Sequence, residues 1–516
     1  MVTRQHTQES SFNKEKSESS DPVINEVPLD GEDLAVDTAK AATQGQYSEE
    51  EFTRLLRKVD RYLLPLMWVC YGVQQADKTG LSTQATFGIK TDTHLVGQQY
   101  SWLSTIFYIT YLLCEFPANW MMQRVNIGKT LAFLIFIWGV IVLCTAFAKD
   151  WADLMALRAL QGAAECTISP AFVIIIASWY TRREHTMRFL IWASANAGFA
   201  IINDLCMYGI GRHAQSHGGL AAWKGISFFL GGITIVLSFF VFFLLGTPRE
   251  VMWLSADEKR MAAARIAVDQ TGSDRQKKAW KKYQAWEALA DPQTWFIFVI
   301  VIVSALPNGG LTTFGNLVYV SFGFSNLDTL LEGTIPRNAL SVIWFLSIGW
   351  LSLKRKNIRF WIMMASTVPL FVGLLGVGLL PAESKYLWSK WGLYLMSVTG
   401  NINGLLIWTF VASNVAGRTK KSVVSTIMFI GYCVGNAIGA QMFQAKDAPR
   451  YVPALIACAV LAFVQFWMLL AWRTYYVLQN KKRERVAEKE GITEEQRVQL
   501  GAINGEQDMT DLENPQ

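Results

Sequence analysis

A chain of 516 residues in which 52% are hydrophobic, only 17% are charged, and Trp and Phe number 20 and 30 is not an ordinary soluble protein; the balance is that of a polytopic membrane protein. The formal net charge is +6, and its Lys and Arg fall in short clusters between apolar runs, a topology signal and not a nucleic-acid footprint. No metal-ligand spacing, Gly-x-Ser-x-Gly or Gly-x-x-x-x-Gly-Lys-Ser/Thr occurs, so no common hydrolase, metal or ATP-driven chemistry is signalled and an ion gradient is the expected energy source.

Residues 1–60 are polar and rich in Ser, Glu, Asp and Lys, the composition of a disordered cytoplasmic tail, and no apolar run follows the initiator Met as a cleaved signal would require. Twelve apolar runs of membrane length follow. Six lie near 62–82, 99–121, 129–148, 153–178, 188–211 and 225–246, within an N-terminal half of 61–246. A polar central loop spans 247–293. Six more lie near 294–318, 331–352, 358–380, 391–415, 422–443 and 450–476, a C-terminal half of 294–476, followed by a cytoplasmic tail of 477–516.

Basic residues recur on one side of this map. Arg54, Arg57, Lys58 and Arg61 precede span one, Arg124 and Lys129 follow span two, and Arg182, Arg183 and Arg188 follow span four. The second half repeats them with Lys354, Arg355, Lys356 and Arg359, then Arg418, Lys420 and Lys421, then Lys481, Lys482, Arg483 and Arg485. The bias places both termini in the cytoplasm. Seven cysteines sit in apolar runs without Cys-x-x-Cys spacing and read as small core residues. The histidines, His6, His94, His185, His213 and His217, fall in tails or loops on this map. Arg275 to Trp286 reads as a basic amphipathic helix on the cytoplasmic surface.

The fold class expected is all-α: twelve transmembrane helices in two pseudo-symmetric six-helix halves, the layout of a secondary transporter. Inside it, Arg158 and Glu165 are seven apart in span four and share one helix face. A carboxylate near mid-membrane must meet water or a partner, which makes Glu165 the candidate proton-coupling residue, against a structural hydrogen-bonding role. The fork of Arg158 suits a carboxylate substrate; an internal ion pair with Glu165, Glu115 or Asp77 is the competing reading. Arg337, after Pro336 in span eight, faces the path of the substrate, pairs with Glu332 or snorkels outward. Asn196, Asn308, Asn401 and Asn403, with Asn436, are candidates for neutral hydrogen bonds to substrate or for gluing helices together. Tyr71, Trp102, Tyr108 and Trp192 are candidate aromatic walls. Asp77 and Lys78, at the outer end of span one, read as a gate or interfacial ion pair, and Glu115 and Arg124 as members of a cytoplasmic gate.

The ordered motifs carry a resemblance. They are Gly97-Gln98-Gln99-Tyr100-Ser101-Trp102, Gln123-Arg124 with Lys129, Arg158-Ala-Leu-Gln161-Gly162-Ala-Ala-Glu165 through Ser169-Pro170, and Trp179-Tyr180 with Arg182, Arg183 and Glu184. Thr247-Pro248 through Trp253-Leu254 to Glu258-Lys259-Arg260, and Pro307-Asn308-Gly309-Gly310, complete the set. The pattern resembles the major facilitator superfamily, its anion:cation symporter group, and within that the fungal allantoate permease branch, which includes nicotinate and pantothenate carriers. The resemblance implies a monomer in the lipid bilayer of the plasma membrane that imports a small organic anion with a proton, using no cofactor, metal or nucleic acid. In related vesicular carriers the residues matching Arg158 and Glu165 handle substrate and proton. The chain departs from the pattern at Gln123, where the superfamily has Asp, and at Glu332 and Pro336-Arg337-Asn338, where the branch has small uncharged residues. Two other classes compete: an exporter working by proton antiport, whose usual span-five glycine and proline motif is missing from Ala193 to Ile202, and a nutrient sensor that binds without transporting.

Overall fold

The computed structural model describes residues 47–122, 124–181, 184, 188, 191–192, 194–269, 280–355, 357–490 and 508–513. The expected tail up to residue 46, Gln123, Arg182, Arg183, His185, Lys356 and the 275–279 part of the expected surface helix lie outside the described residues.

Regular structure among the described residues is helical, with twelve helices of membrane length: α1 Glu49–Thr86, α2 Gln99–Met122, α3 Ile127–Cys144, α4 Trp151–Trp179, α5 Ala195–His217 and α6 Ala222–Leu244, then α7 Pro292–Phe322, α8 Ile335–Lys354, α9 Arg359–Leu379, α10 Ser384–Asn414, α11 Arg418–Gln441 and α12 Val452–Glu490. Eight of them are long and apolar enough to cross a membrane on length and composition alone. The other four are α1, α2, α5 and α8, and they carry Asp77 with Lys78, Glu115, Asp204 and Arg337. Polarity is thus concentrated on helices that must turn it away from lipid.

Capping chemistry sets several boundaries. Ser48 accepts from the Glu51 amide while the Glu51 carboxylate takes the Ser48 N–H at 2.8 Å, a capping box that starts α1 within the expected tail. Glu250, in the segment after α6, accepts from the first amides of α3, Ile127 at 2.9 Å and Gly128 at 3.1 Å, where an acidic group complements the helix dipole. A side chain at Gly128 would meet the Leu245 carbonyl at 2.2 Å, so only glycine admits that approach. Beneath the same half, Trp179 and Trp253 stack at 5.6 Å, and Trp179 Nε1 donates to the Gly246 carbonyl at 2.7 Å. The motif from Thr247 to Trp253 therefore folds back as a seal. His213 and His217 fall on the last turns of α5, not in a loop, because that helix runs beyond its apolar stretch.

Corresponding helices pair alike in the two halves: α1 with α5 as α7 with α11, and α3 with α6 as α9 with α12. Between the halves, α1 meets α7, α2 meets α11 and α5 meets α8. The start of α1 and the end of α12 share one face with the basic turns; the opposite face is here called the far face. Contacts between the halves gather there. Tyr100 Oη donates to the Thr313 carbonyl at 2.7 Å, Thr313 Oγ1 to Ser104 at 2.9 Å, and Asn316 Nδ2 to Thr83 at 2.9 Å. Thr105 Oγ1 donates to the Ala437 carbonyl at 2.9 Å. About 1.5 Å of rise per residue puts the aromatic contacts Tyr108–Tyr432 and Tyr111–Phe429 near mid-bundle, so the two halves are shut on the far side.

Candidate functional site

Helix α4 is interrupted between Glu165 and Ile168. Pro170 lacks an N–H and its ring crowds the Cys166 carbonyl, so the break follows from the sequence Cys-Thr-Ile-Ser-Pro. At that break Glu165 is fully buried, and Lys78 Nζ of α1 lies 2.9 Å from its Oε1. The Lys78 ammonium also stands 5.4 Å from the Tyr111 ring centroid and 5.9 Å from that of Phe107. Those rings belong to the cluster of Phe107, Tyr108, Tyr111, Cys166 and Cys433 that joins α2 and α4 to α11. The pair therefore sits directly against the other half.

Asp77, its neighbour on α1, points elsewhere. Its Oδ2 accepts from Gln161 Nε2 of α4 and from Trp138 Nε1 of α3 at 3.3 Å, with Arg158 in electrostatic reach. Arg158 is buried and makes no ion pair or hydrogen bond among the described residues. The sequence reading is corrected twice here. Glu165 is paired with Lys78 and not with Arg158, and Asp77 and Lys78 are a buried part of the bundle and not an interfacial pair with one another. Helix α1 continues to Thr86, so both residues lie inside it.

A second cluster joins α5 to α8. Asn338 Nδ2 donates to Asp204 Oδ2 at 2.9 Å, Thr334 and Arg337 lie in electrostatic reach of the same carboxylate, and the Thr334 hydroxyl itself donates to the Leu330 carbonyl at 3.0 Å. Arg337 Cζ stands 5.8 Å from the Tyr394 ring centroid. Arg337 makes no ion pair with Glu332; that residue's carbonyl accepts from Trp391 Nε1 at 2.7 Å. Pro336, which has no N–H, stands where a π turn, Thr329–Thr334, runs into α8.

The remaining candidates divide. Glu115 lies one turn below Tyr111, within electrostatic reach of Asn119 and Lys78, and its Oε2 is buried without a hydrogen-bond partner among the described residues. Asn196 lies half-buried with its carbonyl oxygen unpartnered among the described residues, and Asn403 is fully buried with both amide atoms unpartnered there. Asn308 donates to Asn436 at 2.8 Å inside the C-terminal half, a helix-gluing contact, and Asn401 is exposed. Arg124 is exposed and stacks on Trp120 at 3.9 Å, outside any ion pair among the described residues. Tyr71 packs edge-on against Trp192 at 4.4 Å, whereas Trp102 is exposed. Asp204, Tyr319 and Tyr394 are not singled out by the sequence, and Gln161 stands in it only as part of a motif. Asp204 carried the same signal as Glu165, a lone carboxylate within an apolar run.

Arranged so, two bundles of six helices enclose buried charge at mid-depth, shut on one face. The sequence matches the Major Facilitator Superfamily over residues 67–440. The chain belongs to that superfamily. It is 32% identical to the allantoate permease of Saccharomyces cerevisiae over 94% of this chain and 89% of the relative. An uncharacterized transporter of Schizosaccharomyces pombe is 32% identical over 97% of this chain and 96% of its own length. The thiamine pathway transporter of S. cerevisiae is 30% identical over 90% and 86%. Among solved structures, a bacterial homologue of the human lysosomal transporter Spinster, inward-facing and occupied, superposes with a TM-score of 0.61 at 15% identity, covering 80% of this chain and 97% of that one; this likeness shows the fold alone. The superfamily assignment makes the chain an integral, multi-pass membrane transporter and not an enzyme.

Proposed function

We propose that this superfamily member imports a small organic anion together with a proton, at the plasma membrane, with both termini in the cytoplasm. The observation that carries the reading is the fully buried Glu165 carboxylate held 2.9 Å from Lys78 at the contact between the halves. A buried ion pair is tolerated while it is complete, and loss of one charge leaves the other costly and available. A proton arriving on a Glu165 oxygen neutralises the carboxylate and frees the Lys78 ammonium, which then holds the substrate's anionic group below the Tyr111 ring. Linkage requires the converse: bound anion draws the proton onto Glu165. Arg158 supplies a fixed positive charge nearby, partly balanced by Asp77. Rocking of the halves exchanges the closed far face for an open one. The allantoate permease relative supports the choice of a carboxylate.

The test is uptake by proteoliposomes under an imposed pH gradient against a panel of carboxylates led by allantoate. Wild type accumulates the anion only when the gradient points inward, and Glu165→Gln loses accumulation while retaining anion exchange. Gradient-driven accumulation by Glu165→Gln equal to wild type overturns the proton assignment.

A further inference from the structure

We propose that Arg337, with the hydroxyls of Tyr319 and Tyr394, forms an anion-binding site in the C-terminal half that holds a carboxylate of the transported solute. This deepens the transport reading and rests on it, but it concerns residues that the Lys78–Glu165 pair does not touch.

Three polar atoms carry the argument. Arg337 Nε, Tyr319 Oη and Tyr394 Oη are each buried without a hydrogen-bond partner among the described residues. They are close together. The two phenol rings meet edge to face at 4.9 Å, the guanidinium carbon is 5.8 Å from the Tyr394 centroid, and the charge of Arg337 reaches both hydroxyls. Guanidinium and phenol groups can all donate, and a buried donor left unmade costs about 1–3 kcal/mol. A ligand with two or more acceptor oxygens satisfies all three at once; a planar carboxylate matches the guanidinium fork.

The protein's own acceptor is already engaged. Asp204 is the carboxylate facing Arg337 from α5, yet it takes its hydrogen bond from Asn338 and forms no ion pair with the guanidinium among the described residues. It balances charge at a distance without filling the donors. The backbone is shaped around the same spot: a side chain at Gly333, in the π turn, would press on the Tyr319 ring at 3.1–3.3 Å. A π turn commonly marks a functional position within a helix. Because α5 and α8 meet between the halves, an anion seated on Arg337 adds its charge at a contact that joins them.

The experiment is thermal stabilisation of the purified full-length protein in detergent by a panel of small carboxylates, each beside its neutral amide. Expected is at least one carboxylate, allantoate included in the panel, that raises the melting temperature while its amide does not. Tyr319→Phe and Tyr394→Phe each weaken that carboxylate by roughly tenfold, as loss of one hydrogen bond to a charged group implies. Arg337→Lys, which keeps the charge and loses the fork, weakens it by a similar factor, and Arg337→Gln abolishes the effect. Should Arg337→Gln not fold, the two phenylalanine variants and Arg337→Lys decide alone. Unchanged carboxylate binding in the three conservative variants overturns the site, as does a panel in which no carboxylate stabilises wild type. Retained carboxylate binding with no gradient-driven uptake by wild type would instead sink the proton-coupled reading and leave this site standing.

Discussion

Lys78 of α1 and Glu165 of α4 form an ion pair of 2.9 Å in which the carboxylate has no exposed surface. Removing one partner strands the other charge away from water, which costs about 3–5 kcal/mol, whereas replacing both with apolar or neutral groups is close to neutral for stability. Lys78→Met is therefore expected to lower the melting temperature sharply, and Lys78→Met with Glu165→Gln to recover most of it. Transport stays lost in both. A double variant no more stable than the single one would mean that the two charges are not energetically coupled, and a double-mutant cycle on melting reads this directly.

Much of this bundle was legible because a membrane helix is specified by some twenty apolar residues, and basic turns fix which ends lie together. The end of α1 was not, since Gln74, Asp77, Ser82, Thr83 and Gln84 look like an exit from the bilayer. All five are buried against other helices, and that is a property of packing between distant segments. The same limit hid the choice of partner. Glu165 could be singled out from its own span, but only the crossing of α1 and α4 sets Lys78, rather than Arg158, against it. Asp204 was within reach of the rule used for Glu165, and its hydrogen bond from Asn338 was not, because it needs α5 and α8 side by side.

Close packing of α7 on α11 depends on Gly309, where a side-chain carbon would meet the Asn436 carbonyl at 2.3 Å and its Cα at 2.6 Å. Backbone cannot swing aside as a side chain can. Gly309→Ala is expected to cost at least about 1–3 kcal/mol, the usual range for overpacking, and to separate the Asn308–Asn436 hydrogen bond of 2.8 Å. Ala at Gly232, which has open space around it, serves as the control in the same melting assay. Equal melting temperatures for the two variants would contradict the contact.

The central loop is clipped to the N-terminal half through carboxylates outside the membrane. Burial opposes ionisation of Glu258, but hydrogen bonds from Lys58 at 2.7 Å and from the Ser255 amide outweigh it and hold its carboxyl below the ordinary 4.5. Glu184 is likewise lowered: burial is outweighed by the Thr181 amide and by Arg265. A depressed folded-state value means that the stabilisation is full above the ordinary 4.5 and is lost as pH falls below it through the depressed values. Protection against hydrogen exchange in the helix Ala256–Asp269, taken relative to the intrinsic exchange rate at each pH, should therefore fall on acidification below about pH 4.5 and stay flat from pH 5 to 8. Glu258→Gln should lower protection at neutral pH and flatten the acid response. Protection independent of pH in wild type would remove these clips from the account.

The far-face closure between α1 and α7 centres on Asn316, whose side chain donates to Thr83 and whose backbone amide donates to Ser82 at 3.1 Å. Asn316→Val keeps roughly the volume and removes the side-chain bond, leaving the Thr83 hydroxyl short of a partner and weakening the closed state by about 1–3 kcal/mol. A shift of 1.4 kcal/mol changes the ratio of closed to open about tenfold. Spin labels at the exposed positions Val96 and Glu383, on far-face loops of opposite halves, should show a growing population at longer separation. No change in that distance distribution would indicate that other contacts carry the closure.

Six residues near the C-terminal end dock on the basic face of the second half, and Lys420 is the point they share. Its ammonium, fully buried, meets Asp291 at 2.7 Å, Glu287 at 3.0 Å and Asp511 at 3.0 Å, from the start of α7, the helix before it and the tail. Asp508 accepts from the Arg418 amide at 2.7 Å and pairs with Lys281 at 3.2 Å, while Thr510 is fully buried beside Gly417. Removing Asp511 leaves Lys420 with two carboxylates, so Asp511→Ala should cost the fold little and the docking much. Removing Lys420 leaves three carboxylates facing one another, with Asp291 well buried, and Lys420→Met should destabilise the whole protein by about 3–5 kcal/mol. Limited proteolysis separates the two effects: the tail of Asp511→Ala is cut faster than that of wild type with an unchanged melting temperature, whereas Lys420→Met melts earlier. Wild-type cleavage of the tail in Asp511→Ala would show that the acidic contacts do not hold it.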